Sequence, residues 1–132
     1  MILVDTSVWV DFFNSPRSAA GAELERLIRA NSPVVLAGVV VTEVLQGLRY
    51  DIEPVRRILA RQPLLEPHGF VTYEAAAGIF REAKARGVTL STIDALLAAL
   101  TLEYDATLFT MDQDFTRLSF TGLLLHGSNR RK

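Results

Sequence analysis

Short apolar runs alternate along this chain with longer segments in which apolar residues recur every three or four positions. Such runs are typical of strands buried in a parallel sheet, and the longer segments are typical of amphipathic helices. Because parallel strands are joined by helical crossovers, the alternation predicts an α/β domain with a mostly parallel central sheet of about four or five strands flanked by helices. The predicted strands are residues 1–4, 33–37, 64–66, 107–110 and 123–126.

The helical segments begin and end at residues that cap helices or interrupt them. Thr6 or Ser7 is suited to cap the first helix, and Gly87 follows the longest one at the position that favours a left-handed backbone. A short turn of helix is expected at residues 112–118. The longer predicted helices are residues 6–13, 19–30, 40–49, 53–61, 72–86 and 92–104.

The length of 132 residues predicts a single domain, since domains average about 150 residues. We assign residues 1–126 to this domain and residues 127–132 to a basic tail with nothing to bury. The formal net charge of −1 argues against a diffusely basic nucleic-acid binder. Contact with phosphate groups would therefore need local basic patches or a metal ion.

Cysteine is absent from the sequence, which excludes a disulfide framework, thiolate zinc sites and cysteine nucleophiles. The longest apolar runs fall far below the roughly 18 residues of a membrane span. The first residues lack the basic region of a signal peptide and reach an acid at Asp5. We therefore expect a cytoplasmic protein that does not cross a membrane.

Three acidic residues come directly after predicted strands. Asp5 follows the first strand, and Asp112 and Asp114 follow the strand that ends at Thr110. In parallel α/β sheets, ligands bind beyond the carboxyl ends of the strands. If the strands are parallel, these carboxylates are expected at the same edge of the sheet.

Two further acids lie on helices that are otherwise short of charge. Glu43 falls just outside the apolar arc of its helix, next to Gly47, which has no side chain to shield it. Asp94 is the only charged residue between positions 93 and 102, in a helix apolar nearly all round and so expected to be buried.

Each acid also has a purely structural explanation. Asp5 could cap the helix that follows it, and Ser91 with Asp94 matches the capping-box pattern. Either aspartate of the later pair could be an N-cap, because acids are common in first turns. Glu43 could be a solvated helix residue.

Taken together, the acids favour a metal site. Two carboxylates 4 Å apart repel by about 4 kcal/mol at an effective dielectric of 20. No Lys or Arg lies within three positions of Asp5, Glu43 or Asp94. A hard divalent cation with oxygen ligands, Mg²⁺ or Mn²⁺, would relieve that repulsion. With two histidines and no cysteine, zinc is a poor candidate.

Four segments of the chain together resemble the signature motifs of PIN domains and occur in that family's order. The compact single-domain form most resembles the VapC-type toxins of bacterial and archaeal toxin–antitoxin pairs. The segments are residues 2–9 (ILVDTSVW), 40–48 (VVTEVLQGL), 86–99 (RGVTLSTIDALLAA) and 108–115 (LFTMDQDF).

The resemblance implies a Mg²⁺- or Mn²⁺-dependent endoribonuclease that hydrolyses RNA phosphodiester bonds. It also implies a cognate VapB-like antitoxin that holds the toxin inactive, and usually a homodimer. By the same resemblance, the catalytic acidic cluster comprises Asp5, Glu43, Asp94, Asp112 and Asp114. All of these except Glu43 are expected to bind the metal, and which of the last two lies nearer to it stays open.

Polar and basic residues complete the predicted site. Ser7 and Thr110 are expected beside the acids. Several basic side chains are candidates for contacts with RNA phosphates, although each could equally be an ordinary charged surface residue. These are Arg49, Arg81, Lys84, Arg86 and Arg117.

Two rival functions share some of these features. One is a non-catalytic RNA- or protein-binding module on the same fold. The other is a phosphatase with an aspartyl nucleophile, which needs a second Asp two residues after Asp5, where Ser7 stands. The apolar helices at residues 39–48 and 55–59 could belong to the core or bind an antitoxin segment.

Overall fold

The computed structural model of the chain describes residues 1–127. Residues 128–132, which make up most of the predicted basic tail, lie outside that range. The elements in chain order are β1 (Ile2–Val4), α1 (Thr6–Phe13), α2 (Ala19–Arg29), β2 (Val34–Ala37), α3 (Gly38–Gln46), α4 (Ile52–Ala60), β3 (Leu64–Leu65), α5 (Phe70–Ala85), α6 (Thr92–Glu103), β4 (Thr107–Phe109) and a 3₁₀ segment (Gln113–Thr121).

The central sheet has four strands in the order β3-β2-β1-β4, and every pair is parallel. Leu3 aligns with Val35 on one side and with Leu108 on the other. This confirms the predicted α/β architecture. β1 is central, so the residue that follows it emerges at the middle of the sheet's carboxyl edge.

The predicted fifth strand at residues 123–126 is reduced to one parallel bridge between Leu108 and Leu125. The Leu108 amide donates to the carbonyl of Leu124 (2.9 Å), and the amide of His126 donates to the carbonyl of Leu108 (2.8 Å). The 3₁₀ segment ends at Thr121, just before these residues. The strand prediction was therefore wrong in extent.

Several helix boundaries also differ from the predictions. α3 starts at Gly38, because β2 runs into it without a loop, and it ends at Gln46 instead of continuing to residue 49. α5 starts two residues earlier than predicted, at Phe70. The N-cap of α1 is Asp5, whose side chain accepts a hydrogen bond from Thr6 N; neither Thr6 nor Ser7 is the cap.

The hydrophobic core lies on both faces of the sheet. Trp9 is fully buried and Phe12 nearly so, in α1. The helix α6 is buried over most of its length, as its apolar sequence predicted. Val40 and Val44 of α3 also face the core. Within residues 1–127, every helix falls short of the length and hydropathy that a membrane span requires.

A buried histidine fastens the end of the described chain to α2. The His126 side chain is 4% exposed, and its Nε2 lies 2.8 Å from Oε2 of Glu23. Its ring packs against Phe109, with 4.7 Å between centroids. Glu23 also accepts hydrogen bonds from Arg26, and these, followed by the one from His126, hold the pKa of Glu23 down at about 2.

Candidate active site

The carboxyl edge of the sheet brings Asp5 and Thr110 together. Asp5 follows β1 and Thr110 follows β4, and these strands are adjacent and parallel. The Asp5 amide donates to the carbonyl of Phe109 (2.8 Å), which extends the pairing by one residue. Thr110 Oγ1 then donates to Oδ2 of Asp5 (2.7 Å). The expected position of these two residues follows from the parallel topology.

Asp5 is buried, with 7% of its surface exposed. Besides Thr110, the Thr6 amide donates to its Oδ1 (2.7 Å) and Ser7 Oγ donates to its Oδ2 (3.3 Å). Burial raises the pKa of Asp5; the three hydrogen bonds oppose this, and the charge of Glu43 raises it further. Asp5 thus caps α1 and also presents a carboxylate that is costly to ionise.

Glu43 is brought to the same place by α3. Thr6 Oγ1 donates to Oε1 of Glu43 (2.6 Å), so α1 and α3 are linked through neighbouring site residues. Glu43 is half-buried, and its charge acts on Asp5. Sequence reasoning treated Thr6 only as a helix cap. The contact joins residues 37 positions apart, and no local pattern indicates it.

Asp94 lies in the first turn of α6, where Ser91 is the N-cap. Ser91 Oγ accepts a hydrogen bond from the Asp94 amide (3.0 Å), as the capping-box pattern predicted. The carboxylate is half-buried. Burial raises the pKa of Asp94, and the charges of Asp112 and Asp5 raise it further. Hydrogen bonding with Ser91 lowers the pKa but does not cancel this rise. Asp94 therefore belongs both to the capped first turn of α6 and to the acidic cluster.

The two late aspartates have different environments. Asp112 is half-buried, its amide donates to Thr110 Oγ1 (3.0 Å), and its charge acts on Asp94. Asp114 is exposed, and its amide donates to Oδ1 of Asp112 (2.9 Å). Asp112 caps the 3₁₀ segment in this way. The Met111 amide donates to Ser7 Oγ (3.1 Å), which ties this loop to α1.

The electrostatics of the cluster suit a hard cation. Glu43 raises the pKa of Asp5, and Asp112 and Asp5 raise that of Asp94, so the neighbouring charges acting on these two acids are negative. The oxygen donors are of the type that Mg²⁺ and Mn²⁺ prefer. Among residues 1–127, however, no three acidic or histidine side chains are already gathered as metal ligands. The donor chemistry fits, and a cation would have to draw the carboxylates together.

The predicted phosphate contacts are all exposed. Arg86 is engaged elsewhere, because its Nε lies 3.2 Å from Oε2 of Glu82 and its guanidinium lies 4.2 Å from the centre of the Phe120 ring. The remaining candidates form no hydrogen bond or ion pair within residues 1–127. These are Arg49, Arg81, Lys84 and Arg117.

The model of the PIN domain family matches residues 2–121 of this chain. The chain is similar to Ribonuclease VapC11 of Mycobacterium tuberculosis, with 34% identity over 119 residues that cover 87% of this chain and 89% of that protein. VapC ribonuclease Mb1587 of Mycobacterium bovis matches to the same extent.

The fold is similar to that in the crystal structure of VapBC2 from Rickettsia felis bound to a promoter DNA fragment. The TM-score is 0.75 at 21% identity, and the match covers 96% of this chain and 98% of the other. Because the family model spans residues 2–121 and the identity to curated relatives reaches 34%, the chain belongs to the PIN domain family, in the group of the VapC ribonucleases.

Proposed function

We propose that this protein is a Mg²⁺-dependent endoribonuclease, the toxin of a type II toxin–antitoxin pair. The observation that carries the proposal is the set of mutually repelling carboxylates at one edge of the sheet, in which the charges acting on Asp5 and Asp94 are negative. A bound cation would relieve the repulsion among these carboxylates. It would also offset the negative charge of the RNA phosphates, which the acidic cluster alone repels. The names of the curated relatives support RNA as the substrate.

In this proposal, Asp5, Asp94 and Asp112 would hold Mg²⁺, for which Mn²⁺ would substitute, and Asp114 lies at the exposed side of the site. When bound, the ion supplies an activated water and offsets charge on the phosphorus oxygens. Thr110, with the Thr6 amide and Ser7, holds the Asp5 carboxylate in one orientation before any ligand arrives. Preorganised donors of this kind reduce the reorganisation needed during the reaction.

Glu43 is the remaining carboxylate of the cluster, and in this proposal it acts as the general base. Thr6 Oγ1 holds one of its oxygens, and the other is available to accept the proton of the attacking water. As the water oxygen bonds to phosphorus, the bond from phosphorus to the leaving ribose oxygen breaks, and that oxygen takes up a proton from solvent water. Arg49, Arg81, Lys84 and Arg117, which pair with no other residue in the described part of the chain, are candidates for flanking phosphates, and Arg86 would first have to leave Glu82.

Metal removal tests the proposal directly. Purified protein freed of any partner is expected to cleave RNA in Mg²⁺ or Mn²⁺, to stop in EDTA, and to resume when Mg²⁺ is restored, because the acidic cluster alone repels the substrate. Gel analysis of a mixed RNA substrate measures the cleavage. Cleavage that persists in EDTA would contradict metal dependence.

A second candidate is a non-catalytic RNA-binding module on the same fold. It is favoured by one observation, the lack of already gathered metal ligands within residues 1–127. The same experiment separates the two functions. RNA that is bound but left intact in both Mg²⁺ and Mn²⁺ would identify the module.

An antitoxin partner and a homodimer extend the proposal. The similar VapBC2 structure is a toxin–antitoxin complex, which supports a VapB-like partner made in the same cytoplasm. We expect a small protein encoded immediately upstream to suppress RNA cleavage when mixed with this chain. Sedimentation of the chain alone is expected to give twice its mass of 14.6 kDa. A monomer mass, or uninhibited cleavage by the mixture, would reject the corresponding part.

A further inference from the structure

A recess of about 310 Å³ opens at the carboxyl ends of β2 and β3. Ala37 and Leu65, the last residues of these strands, form part of its floor. The strand order places β2 beside β1, so the recess occupies the half of the sheet edge next to Asp5. Its other walls include Val39, Thr42, Glu66, Tyr73 and Leu96.

The recess and the acidic cluster share two helices. Thr42 lines the recess and directly precedes Glu43 on α3. Leu96 and Leu97 line it too, two and three residues after Asp94 on α6. A ligand whose phosphate lies at the carboxylates therefore has a cavity immediately beside it.

A second recess of about 350 Å³ adjoins the first, and its walls include Thr92 and Ala95, which flank Asp94 on α6. Tyr73 and Leu96 line both recesses, so the tyrosine, which is 54% exposed, stands between them. The second recess also includes Arg81, which has no hydrogen-bond or ion-pair partner in the described chain. An anionic strand that follows both recesses therefore passes a guanidinium that is unpaired in the described chain.

The loop that carries Glu66 is fastened from α6. Tyr104 OH donates to the Glu66 carbonyl (2.5 Å), and its ring stacks on His68, with 5.1 Å between centroids. The His68 amide donates to Thr72 Oγ1 (2.7 Å), which donates in turn to Glu103 (2.6 Å). The recess wall is thus formed before a ligand arrives, which lowers the entropic cost of binding.

The lining has the chemistry of a nucleobase site. Its walls are mainly apolar, and Tyr73 offers an aromatic face of the kind on which bases stack. The Glu66 carboxylate is exposed, is unpaired within residues 1–127, and can only accept hydrogen bonds. Guanine presents two adjacent N–H donors to a carboxylate, whereas uracil presents one N–H between two carbonyl oxygens that repel it.

We infer that this recess binds one base of the RNA strand next to the phosphate at the acidic cluster. Glu66 selects a base rich in N–H donors, guanine over uracil, and Tyr73 stacks on it. Arg81 in the adjoining recess holds a phosphate of the same strand. The charges of the groove thus complement those of a nucleotide, with a carboxylate toward the base edge and a guanidinium toward a phosphate. The inference rests on the proposed RNA substrate.

Nucleotide binding in EDTA tests the recess without any catalysis. Methyl NMR signals of Val39, Leu65 and Leu96 are expected to shift and saturate with GMP, to shift less with UMP, and not to respond to ribose 5-phosphate. Glu66→Gln is expected to weaken GMP binding roughly tenfold, since a good bidentate pair contributes about 1–3 kcal/mol of discrimination. The matched control is Glu74→Gln, an exposed glutamate of α5 outside both recesses, which should bind GMP like the wild type.

Two outcomes overturn the inference. One is equal response to GMP and ribose 5-phosphate, which would leave only a phosphate site. The other is recess signals that change with protein concentration and not with nucleotide, which would make a second copy of the chain the occupant. Metal-dependent RNA cleavage can persist in both cases, so either outcome rejects base binding by the recess and leaves the proposed nuclease function standing. GMP binding by a protein that cleaves no RNA rejects the function alone.

Discussion

Replacing Asp94 by Asn is expected to lower RNA cleavage about a thousandfold while raising the stability of the metal-free protein. Loss of a metal-binding carboxylate removes several kcal/mol of transition-state stabilisation, and about 4 kcal/mol corresponds to that factor. The stability gain has a separate cause. Burial and the charges of Asp112 and Asp5 raise the pKa of Asp94, so its ionised form opposes folding at neutral pH.

The sign of the pH dependence follows from that shift. The folded chain binds a proton at Asp94 more readily than the unfolded chain, whose carboxyl has the ordinary pKa of 3.8. The contribution of this group to the free energy of unfolding therefore increases as the pH falls through the raised pKa of the folded state, and it is complete below 3.8, the pKa of the unfolded chain. In Asp94→Asn this contribution disappears, so its stability changes less over that range. Urea unfolding of the metal-free proteins at several pH values measures the difference.

Asp51→Asn is the matched control, because Asp51 is exposed and its left-handed backbone (φ 57°) is tolerated by Asn. It should cleave RNA at the wild-type rate and show wild-type dependence of stability on pH. An Asp94→Asn protein that cleaves at the wild-type rate would refute the catalytic role of Asp94. An Asp94→Asn protein that is less stable than the wild type at neutral pH would refute the claim that the ionised Asp94 carboxylate opposes folding.

Replacing Gly21 by Ala is expected to lower the free energy of unfolding by about 3 kcal/mol, because it forces α1 and α2 apart. A Cβ at Gly21 would lie 2.7 Å from Oδ2 of Asp11 and 2.9 Å from its carbonyl oxygen. The second contact is with backbone and cannot be relieved by a rotamer change. The Gly21 amide also donates to Oδ2 of Asp11 (2.6 Å), and so does Ser18 Oγ (2.8 Å). Moving the two helices apart would weaken both hydrogen bonds.

Replacing Gly78 by Ala is expected to change the free energy of unfolding in the opposite direction. Gly78 lies inside α5, and a Cβ there would meet nothing within 4 Å. Alanine is expected to stabilise the helix by about 0.5–1 kcal/mol, since glycine loses more backbone entropy on folding. Chemical denaturation of both variants measures the two effects. A Gly21→Ala protein as stable as the Gly78→Ala one would show that the α1–α2 contact relaxes freely.

The sequence was sufficient for the architecture because each strand and helix is specified by its own local pattern. The run before Asp5 and the run that ends at Thr110 could be recognised as buried strands, and parallel topology then required both to end at one edge. Asp94 could be singled out because a lone charge in an apolar helix is unusual. Its pairing with Ser91 was readable from the same few residues. The roles of these acids as metal ligands stay predictions.

The extent of pairing was not readable in the same way. Residues 123–126 are as apolar as a strand, yet they form one bridge, between Leu108 and Leu125. The different environments of Asp112 and Asp114 were also undetermined in a motif that contains both. Asp112 is half-buried and its charge acts on Asp94, whereas Asp114 is exposed, and this difference depends on how the loop packs.

Local composition and periodicity thus determined which segments fold as strands and helices and which acids emerge beyond the strand ends. Only the tertiary structure decided that Thr6 holds Glu43, that Asp112 acts on Asp94, and that Tyr73 stands between two recesses beside them. The physical reason is the range of the interactions. Backbone propensity and amphipathicity act over one or two helical turns, whereas these contacts join segments distant in sequence, and their existence depends on the packing of whole elements.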